Sequence, residues 1–288
     1  MNQPIHPVPL AAIDRILQMA FAEDNPSGDL TADAIVPAGA QATAVVNARE
    51  SGVLSGGTVF ARAMTMLNEN IKVTQLVADG ERFAAGDELL TVQGPAASVL
   101  SAERVALNLL QRMSAIATAT RELVDLVAHT NARIADTRKT TPGLRVLERY
   151  AVRCGGGVNH RDNLSEAFMA KDNHLALLGE GEELTRALKA VRARLGHTTA
   201  MEVEVDRIEQ IPAVLDAKVD IIMLDNFDLA DIPAAIKLID GRAIIEASGT
   251  VSAATVGPIA QTGVDIISSG AITHSVRAID LGLDMVIA

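Results

Sequence analysis

The spacing of apolar residues changes character partway along the chain. Residues 10–22 (LAAIDRILQMAFA) place them at helical spacing, which predicts an amphipathic helix. Asn25-Pro26-Ser27-Gly28-Asp29 reads as a turn, with Asp29 or Thr31 placed to cap the next segment. Residues 41–49 and 71–78 alternate apolar and polar, as half-buried strands do, and Asp79-Gly80 reads as a hairpin turn. Residues 97–128 carry very little Gly or Pro and predict one long helical stretch.

From about residue 132 short strands alternate with helices. Strands are predicted at 132–136, 167–171, 200–205, 220–225, 243–248 and 265–270, and helices at 181–195, 207–217, 228–239 and 252–262. Such alternation means parallel strands joined by right-handed crossovers. Six units in this length favour an α/β barrel, incomplete at that, over a doubly wound open sheet. No GxGxxG follows the first strand, which weakens a dinucleotide-binding reading.

Composition supports buried parallel strands. Hydrophobic residues make up 49% of the 288 and aromatics only 2%, so the core must be aliphatic, as suits strands covered on both faces. No apolar run approaches the roughly 20 residues that span a bilayer, and the start MNQPIHPVPL lacks the pattern of a signal peptide. The one cysteine, Cys154, excludes an internal disulfide and fits a reducing compartment. The expectation is a soluble cytoplasmic protein. A net charge of −11 argues against general nucleic-acid binding. Between Arg138 and Lys171, however, seven Lys or Arg face three acidic residues, which suggests a local site for a small anion. Arg145 and Arg149 are expected to face solvent on a helix.

The chemistry of a parallel barrel sits at the carboxyl ends of its strands, and every predicted strand here ends in polar groups. The first runs into Asp136-Thr137-Arg138-Lys139 and the second into Lys171-Asp172-Asn173-His174. The third presents Glu202 and Glu204, the fourth Asp225-Asn226, the fifth Glu246 with Ser248-Gly249, and the sixth Ser268-Ser269-Gly270. Arg138, Lys139, His160, Arg161 and Lys171 form a cationic set suited to a substrate with more than one negative charge. Their alternative is pairing with Asp136, Asp162 or Asp172. Glu202, Glu204 and Asp225 form an acidic set; Glu202 and Glu204 point to one side of a strand. Magnesium or ribose hydroxyls would satisfy these acids, as would salt bridges to the lysines. Ser248-Gly249-Thr250 and Ser269-Gly270-Ala271 each precede a helix and suit a phosphate. Together the sets describe phosphoribosyl diphosphate and an aromatic carboxylate.

The stretch TRKTTPGLRVLERYAVRCGGGVNHRDNLSEAFMAKDNH (137–174) closely resembles the core signature of the quinolinate phosphoribosyltransferases. AEDNPSGDLTADAIVP (22–37), ARESGVLSGG (48–57), SAERVALNLLQRMSAIATAT (101–120), LDNF (224–227), EASG (246–249) and SSGAITHS (268–275) resemble its other landmarks, in the same order. The resemblance implies a type II phosphoribosyltransferase-like fold. An N-terminal α/β sandwich domain (1–116) would precede an incomplete α/β barrel of about seven strands (117–274), with the tail 275–288 packing back on the first domain. It implies decarboxylating transfer of phosphoribosyl to quinolinate, magnesium as cofactor, and a homodimer or higher homo-oligomer with shared active sites. By the same resemblance Arg104 reaches the partner's quinolinate, and Arg138, His160, Arg161 and Lys171 hold the carboxylates. Thr137 belongs to the substrate-binding set. Lys139, Lys171, Glu204 and Asp225 are the catalytic set, with Glu204 and Asp225 near the metal, directly or through water. The two serine–glycine loops bind phosphate. Asn163 and Ala115 depart from glycines usual in the family, beside the functional residues. A related family of molybdenum-transport accessory proteins shares part of this framework but lacks the lysine of KDNH and the full CGGGxNHR run. Binding without turnover, and a phosphoribosyltransferase using nicotinate, are the other readings. Cys154 is expected to be a packed thiol.

Overall fold

In the computed structural model, which describes residues 5–287, the chain forms two compact units. The first comprises residues up to Arg121 together with Thr140–Gly156 and the segment from Ile272 onward. The second comprises Glu122–Lys139 and Gly157–Ala271. Among the described residues, no helix is long and apolar enough to cross a membrane.

The first unit is built on a four-stranded antiparallel sheet. Its strands are β1 (Gln41–Ala48), β3 (Lys72–Gln75), β5 (Glu88–Pro95) and the C-terminal strand Leu281–Ile287; β2 (Gly52–Val53) and β4 (Arg82–Phe83) pair separately. The sheet order places β1 between the C-terminal strand and β5, with β3 at the edge beyond β5. Period-two alternation puts Ala42, Ala44, Val46 and Ala48 of β1 on the buried face. Helix Leu10–Asp24 buries Ile13, Ile16, Leu17 and Phe21, the stripe that its spacing predicts. Asp14 on that helix pairs with Arg62 of helix Gly57–Leu67 at 2.6 Å. Asp29 caps helix Leu30–Ile35, its carboxylate accepting the Thr31 and Ala32 N–H groups. The predicted hairpin at Asp79-Gly80 is not one: β3 pairs with β5, and β4 with β2. The Asp79 carboxylate instead accepts the Gly56 and Gly57 N–H groups and the Tyr150 hydroxyl. The turn-forming pair is therefore there to tie three segments together.

Residues 140–156, assigned by sequence to the barrel, cluster with the first unit. The reason is a buried polar knot. Arg112, on helix Ala96–Val127, donates to Glu148 (2.7 Å), to the Thr141 hydroxyl and to the Thr273 carbonyl, and Glu148 also accepts the Thr141 N–H. Gly155 of the glycine run lies where a Cβ would come within 2.5 Å of the Ala117 carbonyl, so only glycine lets the chain approach that helix. Arg145 and Arg149 are half-buried rather than turned to solvent, and Arg145 donates to the Thr140 hydroxyl. Cys154 is buried, and burial pushes its thiol up to about 12, so it packs and does not ionise.

The second unit holds six parallel strands: β6 (Arg133–Ala135), β7 (Phe168–Ala170), β8 (Met201–Val205), β9 (Ile221–Asp225), β10 (Ile244–Ser248) and β11 (Ile266–Ser268). Their order is β6-β11-β10-β9-β8-β7. The first strand in sequence lies beside the last, which is the order of a ring cut between its first and second strands; a doubly wound sheet has no such closure. Val158 makes an isolated parallel bridge to Ala135, on the open side of β6. Val203, Val205, Ile222, Leu224, Ile245 and Ile267 are all buried and alternate with the polar positions. Burial of each such side chain contributes roughly 1.5–3 kcal/mol. Pro212 and Pro233 stand in the first turns of helices Ile211–Asp216 and Ile232–Ile239, where a missing N–H costs nothing. The predicted helix at 207–217 begins as a 3-10 turn, Ile208–Gln210, and the one at 252–262 shortens to Val256–Gln261.

Candidate active site

Strand alternation turns every second residue at the carboxyl ends of β7 to β11 inward. Met169 and Lys171, Met223 and Asp225, Ser248 and Ser268 thus reach one cavity of about 620 Å³, along with Glu204 from β8. Thr137, Arg138 and Lys139 enter it after β6, and His160 and Arg161 from the loop between β6 and β7. Asn226, Gly249 and Thr250 complete the lining. Of the residues predicted from sequence, the structure therefore gathers Thr137, Arg138, Lys139, His160, Arg161, Lys171, Glu204, Asp225, Ser248, Gly249 and Thr250.

Ser269, Gly270 and Ala271 do not line it. Ser269 is buried and donates its N–H to the Ala135 carbonyl, while Ser268 faces the cavity in its place. Arg104 is an exposed residue of helix Ala96–Val127 in the first unit and is not among the lining residues. Met169, Met223, Asn226 and Ser268 line the cavity but stand outside the predicted set. Their signal is positional: each of the methionines is two residues before a predicted site residue on the same strand.

Two of the basic groups, Lys171 and His160, are held by acids. Lys171 Nζ lies 2.7 Å from Glu204 Oε2, so the lysine alternative for Glu204 is realised in this arrangement. The Asp136 carboxylate, fully buried, accepts the His160 N–H and the Asn159 side-chain amide, each at 2.7 Å. The His160 ring is engaged at both nitrogens. Nδ1 accepts the Arg161 N–H at 2.7 Å, and Nε2 lies 3.0 Å from Glu202 and 3.7 Å from Glu246. Burial works against a charged imidazole, but Glu202, Glu246 and Asp136 more than offset it and hold its pKa above the ordinary value. Burial, and then the neighbouring Arg138, pull the Arg161 guanidinium below its ordinary value. Arg161 also donates to the Ala167 carbonyl at 2.9 Å.

The phosphate-like corner is shaped by backbone. Asn226 has φ of 53°, a left-handed conformation that asparagine tolerates better than most residues. Its side-chain amide donates to Asp225 at 3.0 Å, and its N–H to the Ser248 carbonyl. Gly249 has φ of 129°, and a Cβ there would come within 2.4 Å of Asn226 Oδ1. Glycine is required on both counts. The wall holding Glu204 and Asp225 offers carboxylate oxygens, the donors that a hard cation such as magnesium takes. The buried cluster of His160, Glu202 and Glu246, with its imidazole, suits that ion less well.

The arrangement thus combines four cationic side chains for anionic groups, two acids for a metal or hydroxyls, and a glycine turn for phosphate. Comparison with known proteins leads to the same place. Residues 29–114 match the N-terminal domain, and residues 116–284 the C-terminal domain, of quinolinate phosphoribosyl transferase. Nicotinate-nucleotide pyrophosphorylase [carboxylating] of Mycobacterium leprae is 44% identical over 284 residues, covering 96% of this chain and 97% of that protein. The probable enzyme of the same name from Bacillus subtilis is 39% identical, covering 96% and 94%. The structure of the nicotinate-nucleotide pyrophosphorylase from Francisella tularensis superposes with a TM-score of 0.91 at 36% identity, covering 99% of this chain and 100% of that one. The chain belongs to the quinolinate phosphoribosyltransferase family.

Proposed function

We propose that this enzyme transfers the phosphoribosyl group of phosphoribosyl diphosphate to the ring nitrogen of quinolinate. The adjacent carboxylate leaves as carbon dioxide, and the products are nicotinate mononucleotide and diphosphate, a step of NAD biosynthesis. The observation that carries the reading is the convergence of Arg138, Lys139, Arg161 and Lys171 with Glu204, Asp225 and the Ser248–Thr250 turn in one cavity.

Arg138, Arg161 and Lys171 bind the two carboxylates, and the guanidinium forks fix the plane of the ring. His160, clamped by Asp136, Glu202 and the Arg161 N–H, keeps that group in place. Ser248, Gly249 and Thr250, with Ser268 in place of Ser269 to Ala271, receive the phosphate. Lys139 offers fixed positive charge to the departing diphosphate, which needs no reorganisation as charge develops. Glu204 and Asp225 would hold magnesium, directly or through water, or the ribose hydroxyls. When bound, such an ion would supply positive charge that offsets that of the diphosphate. Once the ring nitrogen is bonded to the ribose it is cationic, and it draws in the electron pair of the breaking carbon–carboxylate bond. A proton then takes the carboxylate's place on the ring. The protein's share is positioning and charge.

The reading extends to a homodimer or higher homo-oligomer in which Arg104 completes the partner's site, and to a cytoplasmic location, which the lone free thiol fits. The test is a magnesium-dependent assay with phosphoribosyl diphosphate and carboxyl-labelled quinolinate, nicotinate being run in parallel. Labelled carbon dioxide appearing together with nicotinate mononucleotide is the expected result. Turnover of nicotinate alone, or of neither substrate by folded protein, overturns the reading.

A further inference from the structure

Beneath the cavity lies a cluster with one proton too few. Glu202 on β8 and Glu246 on β10 are 2% and 3% exposed, and both lie near the His160 imidazole, which lines the cavity while they do not. Nδ1 of His160 is committed as an acceptor to the Arg161 N–H, so the ring carries its proton at Nε2. That proton serves Glu202, at 3.0 Å. Glu246 is left 3.7 Å from Nε2, and its Oε1 is buried without a hydrogen-bond partner. A buried carboxylate oxygen with no donor is costly as an anion and is relieved by protonation.

The other groups around Glu246 do not make a full hydrogen bond to that oxygen. From the end of β6 comes Asp136, a further negative charge whose carboxylate is already engaged by His160 and Asn159. From β9 the register neighbour is Met223, which is apolar. From β11 comes Ser268, whose hydroxyl is near enough to favour the anion a little but makes no hydrogen bond. Arg138, Lys139, Arg161 and Lys171 line the cavity together with His160, whereas Glu246 does not. Burial first, and then the Glu202 charge, push the Glu246 carboxyl up to about 7. The group therefore changes charge near neutral pH.

We propose that Glu246 is a positioning residue that couples substrate capture to a proton: when the quinolinate dianion enters the cavity, Glu246 takes a proton from solvent at Oε1 and so removes a like charge from beneath it. The inference rests on the quinolinate reading of the cavity. A second negative charge raises the proton affinity of a nearby carboxylate further. The neutral form of Glu246 thus binds quinolinate best, and capture weakens as pH rises past the free group's titration. Protonation also keeps the net charge under His160 constant, so that its clamp on Arg161 is not pulled apart as the substrate arrives.

The experiment measures kcat/KM for quinolinate from pH 6 to 8.5, at saturating phosphoribosyl diphosphate and magnesium, in the wild type and Glu246→Gln. In the wild type kcat/KM is level at the acid end and falls about tenfold per pH unit above neutrality. Glu246→Gln, permanently neutral, holds the acid-end level across the range. A flat wild-type profile overturns the proposal, as does an unchanged fall in the variant, which assigns the titration elsewhere. Should Glu246→Gln not fold, calorimetry of quinolinate binding to wild-type enzyme in two buffers of different ionisation enthalpy decides. Uptake of protons near pH 7.5 supports the coupling, and none overturns it. Release of labelled carbon dioxide by the wild type tests the underlying reading separately.

Discussion

Lys171 is held at 2.7 Å from Glu204 while about half of its side chain stays open to solvent. That combination suits a cation that is aimed by one acid and still free to meet a second. Removing it deletes a charge-assisted contact to the substrate and leaves the buried Glu204 uncompensated. We therefore expect Lys171→Ala, and likewise Arg138→Ala, to lower kcat/KM for quinolinate about tenfold or more. Unchanged steady-state kinetics in both would remove these residues from the site. At this scale the sequence is most informative where a residue type can do little else: a basic pair after a strand, a lysine before Asp-Asn-His. It is least informative about phase. Ser268 and Ser269 are adjacent, and only the pairing of β11 with β6 shows that Ser268 faces the cavity while Ser269 donates to Ala135. The three-residue strand is too short for its own alternation to say which serine points inward.

Among the elements, the segment Arg145–Cys154 shows what local pattern leaves undetermined. Its helical spacing is legible, but its allegiance to the first unit depends on Arg112, more than thirty residues upstream, meeting Glu148 and Thr141. Glu148 is 1% exposed and satisfies both Arg112 and the Thr141 N–H. Taking away one partner of a buried pair leaves the other desolvated and unpaired. Glu148→Ala is thus expected to destabilise the fold by about 3 kcal/mol, seen as a lower thermal midpoint by circular dichroism. Arg49→Ala breaks an ion pair to Asp284 whose side chains are both more than half exposed, and the same measurement should show almost no shift. Equal effects of the two would mean that Glu148 does not anchor this segment. The turn at Asp79-Gly80 carries the same lesson. Its residues predict a bend correctly, yet its partners, Gly56, Gly57 and Tyr150, are set by tertiary structure.

At the scale of the whole chain, the alternation of strand and helix reveals parallel strands, but the order of those strands is a long-range property. The closure of β6 onto β11 is what separates a cut ring from an open sheet, and both share the same local signals. The ring order also explains why six strand ends deliver their residues to one place. Of the predicted residues outside that gathering, Arg104 alone belongs to the first unit, where it is exposed on a helix. An exposed arginine with a substrate-binding resemblance is accounted for if it serves the site of a second copy. Arg104→Ala protein should then be inactive by itself, and Lys171→Ala protein nearly so. When the two are mixed and allowed to exchange subunits, a heterodimer has one site lacking both groups and one site with both intact. Activity should return toward one quarter of the wild-type value, since about half of the dimers are mixed and each carries one good site. Sedimentation of the mixture checks that dimers are present. Recovery at that level requires that Arg104 act across subunits, whereas dimers that mix without recovering place it within its own chain's site or in none.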